Sequence, residues 1–138
     1  MKLLFKYLFL FLVGAVTYYF IEIVWDGTSH WTMGALGGIC FIFIGLINEL
    51  LSWETPIWQQ GIVGASIITV LEFISGLILN IWLKLGIWDY SGMLLNVCGQ
   101  ICLTFTCIWF IVAIIAIVLD DYIRYWIFKE EKPHYKIL

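Results

Sequence analysis

Residues 58–83 read WQQGIVGASIITVLEFISGLILNIWL, with Glu72 as the one charged side chain. A helix needs about 20 apolar residues to cross the hydrocarbon core of a bilayer, and this run exceeds that. It has no strand-length alternation of apolar and polar residues, which leaves the helix as the spanning form that satisfies its own backbone. Comparable runs cover about 3–24, 33–51 and 93–119. The expected fold is therefore an all-α integral membrane protein, with four transmembrane helices forming two antiparallel hairpins in a domain at 1–119. A C-terminal tail follows at 120–138.

Composition points the same way. Of the 138 residues, 63% are hydrophobic and 12% charged, with mean hydropathy +1.00. Soluble domains carry about 25% charged residues, so this chain cannot cover a globule with polar surface, and the lipid bilayer is its first partner. The net charge of −3 gives no electrostatic case for nucleic acid. Tryptophans cluster near the ends of the apolar runs, where interfacial belts form. Cys40, Cys98, Cys102 and Cys107 fall inside apolar runs, as packed small side chains do; no metal, cofactor or disulfide is expected of them. Lys2 and Lys6 resemble the start of a signal peptide. The apolar region after them is too long for one and lacks a small-x-small cleavage site, so a retained helix is expected.

Basic residues set the orientation. Lys2 and Lys6 precede the first run, and Arg124, Lys129, Lys132 and Lys136 follow the fourth; only Lys84 lies elsewhere. The positive-inside rule then places both termini in the cytoplasm. The loops Asp26–Thr32 and Gly86–Gly92 would face outward and the Glu54-Thr55-Pro56 connection inward, with Pro56 separating the second and third helices. In the tail, Asp120 and Arg124 have the spacing to pair on one helical face.

The hairpins share short matches. Trp25-Asp26 corresponds to Trp88-Asp89, and Gly37-Gly38-Ile39-Cys40 to Gly99-Gln100-Ile101-Cys102. An internal repeat of this kind would relate the hairpins by an axis along the membrane normal, with a site at their interface.

Each run carries a face of small and polar residues: Gly14, Tyr18 and Glu22; Gly34, Gly38, Gly45 and Asn48; Thr69, Glu72, Gly76 and Asn80; Asn96, Gly99, Gln100 and Thr104. Such faces let membrane helices approach and hydrogen-bond, so they would serve any packed bundle. Depth adds information. At 1.5 Å per residue Glu72 lies roughly 20 Å into its helix, in the outer half of the membrane. Glu22, Asn80, Asn96 and Gln100 reach the same side, and His30 and Asp89 lie in the outer loops. An ionisable group at membrane depth is a candidate functional residue. The candidate ligand-binding set is Glu22, His30, Glu72, Asn80, Asp89, Asn96 and Gln100, with no catalytic residue. Two readings of Glu72 stay open: a neutral acid bonded to amides, or a carboxyl that meets a ligand or proton in an outward cavity.

These residues together carry a family resemblance. Glu22 to Trp25, Ser29-His30-Trp31 with Met33, Gly37-Gly38, Asn48-Glu49, the series Thr69, Glu72, Gly76 and Asn80, then Trp88-Asp89-Tyr90-Ser91, Asn96 and Gly99-Gln100-Ile101-Cys102 resemble small bacterial membrane proteins of the putative ABC-transporter type IV family. The resemblance covers nearly the whole chain. It implies a permease of the bacterial cytoplasmic membrane. No stretch reads Gly-x-x-x-x-Gly-Lys-Ser/Thr, so an ATPase would be a separate subunit, and four spans would need a partner or a homo-oligomer to complete a pathway. Three functions compete: a transport component whose outward acidic and amide pocket takes a cation or small polar solute; a non-catalytic membrane subunit whose polar residues serve packing; and an intramembrane lipid-modifying enzyme using carboxylates and His30 as acid and base.

Overall fold

The computed structural model describes residues 1–138 and is all-helical, with four helices long and apolar enough to cross a membrane. α1 spans Lys2–Asp26, α2 Trp31–Gly45, the short α3 Ile47–Leu50, α4 Ile57–Gly76 and α5 Leu103–Phe128. α4 continues without a break into a π-helical turn at Leu77–Trp82. Both termini and the Ser52–Pro56 connection lie at one end of the bundle, the termini end. The α1–α2 turn and the long 83–102 segment lie at the other, the far end.

α2 is the central element. Met33, Leu36, Cys40 and Ile44 on α2 and Ile47 on α3 pack against Ala65 and Ile68 of α4 and Trp109, Ala113 and Ile117 of α5. The small residues decide how close the helices come. A Cβ on Gly14 would collide with Phe41, one on Gly37 with Tyr18 and one on Gly38 with Phe11, so α1 lies directly on α2, running antiparallel to it. In the second hairpin a Cβ on Gly64 would stand 2.7 Å from the Ala113 methyl. Without a hydrophobic force between helices in lipid, such close packing is what holds them together. The other faces of α1 carry exposed Leu4, Leu8, Leu12, Val16 and Phe20, the surface lipid would wet.

α5 differs from the hydropathy reading at both ends: it begins at Leu103 rather than near Met93 and runs on through the charged residues to Phe128. At its start, Leu95 and Cys98 adopt positive φ, 53° and 56°, and Gly99 follows at 70°, which no helix accommodates. Asn96, Gly99 and Gln100 therefore lie in a folded loop and form no helical stripe with Thr104. At its other end, Asp120, Asp121 and Arg124 are buried and pair with neighbours, so charge does not stop the helix. The matched tetrapeptides of the two hairpins take different backbones: Gly37–Cys40 is inside α2, Gly99–Cys102 outside any helix.

Lys129, in the left-handed conformation at φ 58°, ends α5. The last ten residues fold back over the termini end. The Lys136 carbonyl accepts from the Ile57 N–H at 2.8 Å. Tyr135 donates to Asp121 at 2.7 Å, and His134 stacks on Trp53 with ring centroids 4.8 Å apart. Burial, reinforced by the Asp121 carboxylate, pushes the Tyr135 hydroxyl's pKa up, so it stays a donor. The Asp120–Arg124 pair expected from spacing closes at 2.7 Å, and Arg124 also reaches Glu49 at 2.5 Å.

Candidate functional site

At the far end the turn between α1 and α2 and the 83–102 loop enclose a chamber of about 610 Å³. Glu22 and Asp26 enter it from the last turn of α1, His30 from the start of α2, and Asp89 from the loop. No Lys or Arg lines it. Its remaining walls are largely aromatic: Tyr18, Trp25, Trp88, Tyr90, Phe105 and Trp109. Carboxylates and ring faces are both attractive to cations, the rings through their quadrupole.

The loop that forms one wall is built from local polar contacts. Asp89 accepts from the backbone N–H of Ser91 at 2.9 Å and from its hydroxyl. These two bonds hold the Asp89 carboxyl below the usual carboxylate range although it is exposed. Gly99 packs beneath this turn, where a Cβ would stand 2.6 Å from Ser91 Oγ and 2.8 Å from Asp89 Oδ1. The Gly99 carbonyl accepts from Tyr90 N–H at 2.7 Å, and Trp88 Nε1 donates to the Gln100 carbonyl at 3.0 Å. The first contact holds the Tyr90 backbone and the second the Trp88 indole against the Gly99-Gln100 segment.

Glu72 sits below the chamber, 4% exposed, between α4 and α5. Its Oε2 accepts from the Tyr90 hydroxyl and its Oε1 from Trp109 Nε1, each at 3.2 Å. Burial and then the neighbouring Glu72 charge push the Tyr90 pKa up, so the phenol remains a donor. Tyr90 also stacks on Phe105 at 4.8 Å and 12°. Beneath Glu72 a smaller cleft of about 120 Å³ runs between α1, α2 and α5, lined by apolar side chains such as Leu36, Ile68, Val112 and Ala116. Tyr18 and Trp109 line both spaces, whereas Glu72 lines the cleft alone.

The residues singled out from sequence fall into separate places. Glu22, His30 and Asp89 line the chamber; Glu72 lines the cleft below it. His30 is also a helix cap: its Nδ1 accepts from Thr32 N–H at 3.3 Å and lies 2.6 Å from the Thr32 hydroxyl. Asn80, Asn96 and Gln100 do not line the chamber; they tie the loop down. Asn80 on the π-helical turn donates to Gln100 Oε1 at 2.8 Å and accepts from Ile87 N–H at 2.7 Å. Asn96 donates to the carbonyls of Ser91 and Met93, both at 3.0 Å, and accepts from Gly99 N–H at 3.1 Å. Gln100 lies on Gly76, where a Cβ would come within 2.5 Å of its Oε1. Trp109 was not foreseen. It sits amid an apolar run, and only its indole N–H, useless in a lipid-facing position, hints at a buried acceptor. Tyr18 bonds Glu22 at 2.9 Å, as its four-residue spacing allows.

A family profile described as putative ABC-transporter type IV matches residues 9–137. No curated protein matches the chain, and neither does any solved structure.

Proposed function

Since the chain belongs to the putative ABC-transporter type IV family and is an ABC-transporter-related multi-pass membrane protein, we propose that it is a transport component whose far-end chamber binds a cation or small polar solute. In this reading the termini end is cytoplasmic, in a bacterial plasma membrane, because every Lys and Arg except Lys84 belongs to that end. The chamber then opens outward. A separate ATPase subunit supplies energy, or several copies of this chain combine to form the pathway. The observation that carries the proposal is the chamber itself: Glu22, Asp26 and Asp89 line about 610 Å³ that no Lys or Arg enters. An array without counter-ions attracts cations.

The reading of the polar residues as packing elements applies to Asn80, Asn96 and Gln100, whose amides are spent on the loop. It accounts for only part of Glu22 and Asp89: Tyr18 and Ser91 donate to them, and both also line the chamber.

The test has two arms. Native purification from the source membrane should co-purify a nucleotide-binding subunit or additional copies. In proteoliposomes, flux of small cations should fall in Glu22→Gln and Asp89→Asn, with Lys84→Gln as control. Equal flux in all four proteins would remove the chamber from any transport role.

A further inference from the structure

The chamber and the cleft below it adjoin and share Tyr18 and Trp109 as walls. The chamber is acidic and aromatic; the cleft is apolar. Tyr18 and Trp109 stand at the join, ring centroids 6.3 Å apart. The cleft also has a side opening. α1 rests on α2 and has little contact with α5. The two helices meet through Tyr18 and Trp109 towards the far end and through Phe5, Phe9 and Phe128 at the termini end. Between these aromatic contacts lies a window. Thr17 on α1 and Ile115 and Leu119 on α5 line the cleft at this level and are exposed, Ile115 at 62% and Leu119 at 38%, so the cleft reaches the surface that lipid covers.

From this geometry we infer that the ligand is an amphiphile with an ammonium headgroup, which enters sideways between α1 and α5 and lodges its chain in the cleft and its headgroup in the chamber. The inference rests on the reading of the chamber as a binding site and narrows its ligand class. Charge and shape select the occupant. An anionic headgroup would face Glu22, Asp26 and Asp89 with no Lys or Arg to offset them. An ammonium, tertiary or quaternary, meets carboxylates and the aromatic side chains of Trp25, Trp88 and Tyr90, the kinds of group that recognise it. A fully polar solute would leave the apolar cleft unfilled. An alkyl chain covers it and is already dissolved in the phase onto which the window opens.

Binding can be measured in nanodiscs of phosphatidylglycerol, whose headgroup has no ammonium, with empty discs subtracted. The probes are tetramethylammonium, dodecyltrimethylammonium and dodecyl sulfate. The alkylammonium should bind about tenfold or more tighter than tetramethylammonium, as burial of a few methylenes produces, and dodecyl sulfate should not compete. Val112→Trp, which fills the cleft, should abolish the chain-dependent gain and leave tetramethylammonium binding in place. Thr17→Phe fills the same cleft from α1 and serves if the first variant does not fold. Equal binding of the two ammonium probes, or a gain that persists in both variants, overturns the inference. In that case tetramethylammonium binding that weakens in Glu22→Gln would still support a polar-solute chamber. Failure of both ammonium probes to bind overturns both readings. Cysteines placed at Thr17 and Ile115 that cross-link separate copies efficiently would make the window an interface between subunits and also overturn the inference.

Discussion

The Tyr90 hydroxyl donates to the Glu72 carboxylate at 3.2 Å, joining a surface loop to a buried acid on α4. The second carboxylate oxygen takes the Trp109 indole N–H from α5. Glu72 therefore links three separately positioned parts of the chain, and the loop cannot move away without leaving that acid with one partner fewer.

Glu72→Gln can keep its Oε1 on the Trp109 N–H and turn its N–H₂ to the Tyr90 oxygen, which accepts it while the Tyr90 O–H loses its acceptor. The variant should be destabilised by about 1–3 kcal/mol, the usual cost of an unsatisfied buried group. Tyr90→Phe, which keeps the stack on Phe105, should cost about 0.5–1.5 kcal/mol. In a double-mutant cycle read by reversible unfolding in bicelles, the two changes should be non-additive; strict additivity would mean the contact carries no energy.

Gly99 and Gly27 both adopt positive φ, 70° and 81°. A Cβ on Gly27 meets nothing within 4 Å, whereas one on Gly99 collides with the Asp89–Ser91 turn. Gly27→Ala should cost only the left-handed strain, about 1–2 kcal/mol. Gly99→Ala should cost more and should raise hydrogen exchange at Asp89 to Ser91, an increase that Gly27→Ala does not produce.

Asn80→Ala removes the bonds to Ile87 and Gln100 at once. The 83–102 loop should become susceptible to limited proteolysis while α4 and α5 stay protected. Cleavage unchanged from the wild type would show that the loop is held by its aromatic side chains alone.

At the termini end Asp120 is 0% exposed and Arg124 4%. Arg124→Gln leaves the Asp120 carboxyl buried beside Gly45 without its counter-ion and should destabilise by about 3–5 kcal/mol. The exposed Lys136–Glu54 pair at 3.7 Å offers a contrast: Lys136→Gln should change stability by about 0–1 kcal/mol. Thermal unfolding at several salt concentrations distinguishes them, since only the surface pair is screened.

Asp89 has its pKa lowered in the fold by the side-chain and backbone bonds from Ser91. A carboxyl with a depressed folded pKa supports the fold above its unfolded pKa and loses that support as pH falls through the folded value. The loop should thus loosen only on acidification below the ordinary aspartate range. Ser91→Ala should move the Asp89 titration, followed by carboxyl NMR, back up towards that range.

The sequence by itself determined that the chain is helical, that four of its segments are long and apolar enough for a bilayer, and that small residues would mediate helix contact. Those properties are summed along the chain: hydropathy over about 20 residues selects a span, and four-residue spacing puts Gly14 and Tyr18 on one face. Pairing of Asp120 with Arg124 was legible for the same reason, because it is local. Only the tertiary structure decided that Met93–Cys102 is a loop, since an apolar stretch has the same composition whether it is coiled or folded around Asn96. Only the tertiary structure divided the polar residues, turning Asn80, Asn96 and Gln100 towards the loop backbone and leaving Glu22 and Asp89 facing a chamber. That division depends on which atoms distant segments bring within hydrogen-bonding reach, and Trp109, remote in sequence from Glu72 and unmarked in its apolar run, became a partner of that acid only through the packing of α4 on α5.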